Sequence, residues 1–186
     1  MPLLVPLLEF VQPLDVLLYR PSSLAGWMIA IKTWNKQTSH VEVVSYKSTE
    51  RIETFTARGT VSQGEDRKSG VQFYGDLASR VDRITYVLRP KREGRANAAY
   101  LWALTQAVGQ GYDYVGLAVF ALAAAQGSAT KMHCGEAVTR YLRHADLYPF
   151  HHNADADLIA PATFLFSTSF VQYRVMNGNI DPSSGV

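Results

Sequence analysis

Apolar positions along the chain follow two spacings. Residues 15–20, 40–46, 51–57, 71–74, 82–89 and 169–176 are rich in β-branched and aromatic side chains, which predicts strands. Of these, Ser39-His40-Val41-Glu42-Val43-Val44-Ser45-Tyr46 alternates most clearly and reads as half-buried. Elsewhere apolar residues recur every three or four positions. Leu24, Trp27, Met28 and Ile31 form a stripe behind Ser22 or Ser23 as a cap, predicting a helix over 22–34. Leu101, Leu104 and Val108 mark the expected buried face of a helix over 95–108. Two further helices are predicted over 114–125 and 134–145. The sum is a single α+β domain over 1–176. Residues 58–70 form a polar loop without periodicity, expected over a site, and the tail 177–186 has the composition of a disordered end.

At 186 residues the chain has enough core for one domain without staples. One cysteine excludes an internal disulfide. A net charge of +2, with no basic stripe interleaved with aromatics, argues against nucleic acid. The cationic run Arg89-Pro90-Lys91-Arg92-Glu93-Gly94-Arg95 reads as a solvated connection. The apolar start, Met1 to Leu8, lacks a cationic region and a cleavage site and is broken by two prolines, so no signal peptide is expected. The location is thus read as cytoplasmic or open. The run Tyr114 to Ala125 falls short of the ~20 residues that span a bilayer, so no transmembrane segment is expected.

The lone cysteine carries the candidate chemistry. Cys134 follows an irregular stretch and opens a helical pattern in which Cys134, Val138, Tyr141 and Leu142 share one face. Unpaired N–H groups at a helix start favour a thiolate and can hold an oxyanion. His40, at the start of its predicted strand, can present an imidazole at the sheet's end to take the thiol proton. Glu42 lies two residues on, on the same strand face, and is one candidate to orient His40. Gly135 lets the backbone come close to a substrate. Glu136, in the first helical turn, reads as a charge that stabilises the helix start.

Five segments in this order carry a resemblance: Leu14-Asp15-Val16-Leu17-Leu18-Tyr19-Arg20, Ser39-His40-Val41-Glu42-Val43-Val44, Arg51-Ile52-Glu53-Thr54, Gly109-Gln110-Gly111-Tyr112-Asp113-Tyr114 and His133-Cys134-Gly135-Glu136-Ala137-Val138. Together the chain resembles the circularly permuted papain-like, NlpC-type cysteine hydrolases of the YiiX-like family, relatives of the lecithin:retinol acyltransferase-like enzymes. Two positions depart from the pattern. Leu14-Asp15 stands where Gly-Asp is common, and Gly135 where serine often follows the cysteine.

The resemblance implies an antiparallel sheet packed against helices, with Cys134 as nucleophile at a helix N-terminus and His40 as its base. It implies Glu53 as the group orienting His40, although a symmetric hairpin turning at Ser48-Thr49 would pair Glu53 with Val44, so direct pairing requires a bulge or a nearer turn. It further implies Tyr112 as a donor to the oxyanion. The expected reaction is hydrolysis of an amide in a peptide or peptidoglycan fragment through a thioester, without cofactor. The alternatives are a lipid acyl substrate on the same machinery, or a binding module that keeps only the fold. His144, His151, His152, Asp155 and Asp157 are close in sequence, but their spacing matches no metal motif, so no metal site is expected.

Overall fold

The computed structural model describes residues 4–22, 26, 37–59, 69–75, 77–113 and 130–186. The helices expected over 22–34 and 114–125, and most of the loop over 58–70, lie outside the described residues. Within them the strands are β1 (Val5–Pro6), β2 (Val16–Tyr19), β3 (His40–Lys47), β4 (Ile52–Arg58), β5 (Gly70–Tyr74), β6 (Ile84–Pro90), β7 (Gly111–Tyr112), β8 (Lys131–Met132), β9 (Phe170–Met176) and β10 (Asn179–Ile180). The α-helices are α1 (Leu7–Phe10), α2 (Ala96–Trp102) and α3 (Cys134–His144). A single sheet runs β1-β10-β9-β6-β2-β3-β4-β5 with every neighbouring pair antiparallel. A small parallel pair, β7 and β8, leads into α3. The domain is α+β, as the strand and helix spacings imply.

The β2 strand lies at the centre of the sheet and is apolar throughout, and β3 beside it is buried from Val41 to Ser45. Their side chains divide between two clusters. Val16, Leu18, Val41 and Val43 pack with Phe55, Ala57 and the face of α3 that carries Cys134, Val138, Tyr141 and Leu142. Leu17, Tyr19 and Val44 pack with Leu7, Leu77, Val87 and Ile180. The four α3 residues of the predicted stripe are all buried. Closing them against the sheet removes most of four apolar side chains from water, each worth roughly 1.5–3 kcal/mol for the larger ones.

Helix α2 turns a different face inward from the one expected. Leu101, Leu104 and Val108 are 61%, 52% and 41% exposed, while Ala99, Trp102, Ala103 and Ala107 are buried. The helix also continues from Ala103 to Ala107 as a π-helical turn, which changes the residue phase and carries Leu104 and Val108 off the expected stripe.

The C-terminal tail is ordered, contrary to the expectation for 177–186. Asn177 and Gly178 take positive φ, 50° and 73°, and make a tight turn. Ile180 then pairs with Val175 on one side and Val5 on the other, and is fully buried. Asn-Gly between short apolar segments is the dipeptide best suited to a two-residue hairpin. The polar residues after it mask that signal in the composition.

Candidate functional site

Cys134 is the first residue of α3 and is buried. His133 caps the helix in an extended conformation, its Nδ1 accepting from the Glu136 N–H at 3.3 Å and its Nε2 donating to the Asp157 carbonyl at 2.9 Å. This fixes the entry of the chain into α3. Gly135 has a packing role: a Cβ there would fall 1.8 Å from the Ile159 carbonyl oxygen. The close approach expected of a substrate is made by the protein's own backbone.

Burial pushes the Cys134 thiol up to about 11, against the opposing pull of the backbone N–H groups of Val41, Gly135 and Cys134 itself. The resting sulfur is therefore a neutral thiol facing three amides that can hold negative charge once it forms. Val41 directly follows His40 on β3, but Val41 packs in the cluster that holds Cys134, whereas the His40 ring lies beside Tyr19 and Glu42. No hydrogen bond joins Sγ to the imidazole among the described residues.

His40 opens β3, opposite Tyr19 of β2, with their rings 5.6 Å apart. Its Nε2 lies 3.1 Å from Glu42 Oε1. With the proton assigned to Nε2, as a carboxylate partner requires, Nδ1 keeps a lone pair to accept a proton. Burial lowers the His40 pKa, and Arg58 and Arg80 add to this, while Glu42 opposes them. The ring is neutral at neutral pH, the form a base needs.

Glu42 is fully buried at the hub of a network. It accepts from the Tyr19 hydroxyl at 2.8 Å, the Thr54 hydroxyl at 2.8 Å, Arg58 at 2.6 Å and Arg80 at 2.6 Å. Burial alone would raise its pKa, but the two guanidiniums outweigh burial and hold it well below the usual carboxylate range. The Arg58 guanidinium also lies 3.6 Å over the Tyr74 ring.

Glu53 does not reach His40. Its carboxylate accepts from Arg51 at 2.6 Å and lies 3.4 Å from the Ser45 hydroxyl. The reason is register. The β3–β4 connection spans residues 48–51, pairing Lys47 with Ile52 and Tyr46 with Glu53, and a bulge at Ser45 then sets Val44 against Thr54. Thr54 thereby takes the place beside Glu42, and Glu42 becomes the carboxylate partner of His40. Tyr112 pairs with Met132 on the strand just before Cys134 and is buried in the same apolar cluster as Cys134.

Tyr19, Thr54, Arg58 and Arg80 were not among the expected site residues. Arg58 reads as the start of a loop in sequence but ends β4, and Arg80 sits in the 3₁₀ segment Leu77–Arg83, far from Glu42 in sequence. The one signal pointing to them is a carboxylate on a strand as apolar as β3, since a buried charge requires a partner.

Neither a protein-family model nor a curated protein sequence matches this chain. A solved structure does: metalloprotein YiiX from Escherichia coli O157:H7, with a TM-score of 0.63 and 12% identity over 89% of this chain and 97% of that one. The surroundings of His40 and Glu42 in this chain do not suit a metal. Both Glu42 oxygens already face guanidiniums, and two fixed positive charges beside His40 oppose a cation. His144, His151, His152, Asp155 and Asp157 gather no set of three or more donors among the described residues. At this identity the likeness is one of fold: the chain shares the α+β architecture of YiiX along nearly its whole length.

Proposed function

We propose that this chain is a cysteine hydrolase acting on an amide of a peptide or peptidoglycan-derived fragment. The observation that carries the reading is the placement of a thiol at the first residue of α3, among three backbone amides, beside the strand that starts with a neutral histidine. His40 Nδ1 takes the Cys134 proton as Sγ bonds to the substrate carbonyl carbon, and the carbonyl π electrons pass to oxygen. The amides of Cys134 and Gly135, with Tyr112 in support, stabilise that oxyanion. Collapse breaks the C–N bond, and the His40 imidazolium protonates the leaving amine. Water, deprotonated by His40, then cleaves the thioester and frees the acid and the thiol. Glu42 holds the imidazole and stabilises its charged form, the role expected of Glu53 from the resemblance. A lipid acyl group would use the same steps. The run Tyr114 to Ala125, which would line an acyl groove, lies outside the described residues.

One observation favours a second reading, a binding module on this fold. A thiol held near 11 is not activated at rest. Intact-mass measurement of the protein with peptidoglycan stem peptides, and separately with a short-chain phospholipid, distinguishes these. A Cys134-dependent acyl adduct or turnover with stem peptide supports the amidase, and with phospholipid alone the lipid enzyme. No adduct and no turnover, with Cys134→Ala and His40→Ala indistinguishable from the parent, supports the module.

A further inference from the structure

The C-terminal half of α3 borders a second cavity, away from the thiol. Its volume is about 420 Å³, and it is lined by Trp102, Gln106, Arg140, Arg143, His144 and Asp155, together with Ala156. That volume falls within the range of small-molecule sites. Arg143 lies nine residues beyond Cys134 on the same helix, roughly 13 Å along its axis.

We propose that this cavity binds a small oxyanion, a carboxylate or phosphate group. Two guanidiniums one turn apart, Arg140 and Arg143, border one space with His144, whose ring is kept neutral by burial and Arg140. Their charges are incompletely used. Arg140 Nη2 reaches Glu136 at 2.8 Å and Asp157 at 3.3 Å, but its Nε is buried without a hydrogen-bond partner among the described residues. Arg143 donates to the Ala154 carbonyl, a neutral acceptor, and has no carboxylate partner among the described residues. His144 is stacked on Trp102, with ring centroids 4.4 Å apart and planes 14° apart, so its ring is held at the cavity wall. The Asp155 carboxylate is turned to the Asp157 N–H at 3.1 Å.

Basic residues at a helix C-terminus also compensate the helix dipole. That role needs no cavity. A planar, forked guanidinium suits a carboxylate or phosphate.

The test is titration of the full chain with inorganic phosphate and, separately, succinate at fixed ionic strength, followed by ¹⁵N–¹H spectra of the Trp102 indole and His144 ring. Saturable shifts at both groups are expected with at least one of the two anions, and which anion gives them identifies the preferred group. Arg143→Gln should weaken binding by about tenfold, the effect of one charge-assisted hydrogen bond. Because Arg143 also holds the Ala154 carbonyl, Gln106→Glu is the second variant. It places a negative charge at the cavity and should weaken binding without removing a structural bond, whereas Arg92→Gln should not alter it. Linear, non-saturating shifts with both anions, or shifts unchanged in Gln106→Glu, overturn the proposal and leave the arginines as dipole partners only.

Discussion

Two regions near Cys134 each bury a glutamate, and the two are in opposite states. On β3, Glu42 meets two guanidiniums and lies well below the usual carboxylate range. In the first turn of α3, Glu136 meets one, Arg140, which it shares with Asp157, and burial with that second carboxylate pushes it up to about 8. Asp15, buried against Arg89 alone, is also raised by burial. At Asp15 and Glu136 burial outweighs the single guanidinium, and at Glu42 two guanidiniums outweigh burial. Beside His40 the consequence is a permanent carboxylate held between two guanidiniums. That combination orients the ring and still keeps it neutral.

The comparison predicts its largest effect on stability. Glu42→Ala removes the buried carboxylate that Arg58, Arg80, Tyr19 and Thr54 share and should cost about 3–5 kcal/mol in denaturant unfolding. Glu136→Ala frees only the half-exposed Arg140, so its cost at pH 6 should stay near 1 kcal/mol. Equal costs would break the distinction between the two regions.

Next in size is the thiol. With its pKa pushed up to about 11, Cys134 should react with iodoacetamide at pH 8 on the order of 100-fold more slowly than free cysteine. The Glu42 charge contributes to that rise, so Glu42→Gln should speed alkylation, and Glu136→Gln should not. A Cys134 that alkylates faster than free cysteine would mean an ionised thiol at rest and would replace the neutral Cys134/His40 pair with an ion pair.

How far the sequence carried this picture differs between regions for physical reasons. The strands near the site were legible, because β2, β3 and β4 owe their residues to burial and alternation. So was α3, whose stripe is long and regular and whose first residue is the cysteine. The orientation of α2 was not, since the π-helical turn from Ala103 to Ala107 changes the residue phase and leaves Leu104 exposed while Ala103 and Ala107 are buried. The partner of His40 was not fixed either. A single bulge at Ser45 and a longer connection decide whether Glu53 or Thr54 faces Glu42, and a one-residue change in register is invisible to periodicity. Arg80 reaches Glu42 across 38 residues, a distance over which local pattern says nothing.

Glu136 gives a pH-dependent effect of intermediate size. Its folded pKa, about 8, exceeds its ordinary value of 4.5, so the folded chain binds more protons between these limits. Stability from this group is present at pH 4.5 and is lost as pH rises toward 8. Glu136→Gln should flatten that part of the stability–pH curve, as unfolding at pH 5 and pH 8 would reveal. A slope that survives the substitution would place the titrating group elsewhere.

The smallest effect separates the two carboxylates first considered for His40. Glu42 raises the His40 pKa through its hydrogen bond and charge, against burial and the two arginines. Glu42→Gln removes the charge while keeping an acceptor oxygen, so the His40 ring should titrate at still lower pH in an NMR titration. The acid limb of any Cys134-dependent activity should move the same way. Glu53 contacts Arg51, which is 59% exposed, and Ser45, neither of which touches His40. Glu53→Gln should therefore leave the His40 titration where it is and cost less than about 1 kcal/mol, since it weakens one ion pair whose cation is largely exposed. If Glu53→Gln shifted the His40 titration and Glu42→Gln did not, the register at the Ser45 bulge would differ in solution and the orienting role would return to Glu53.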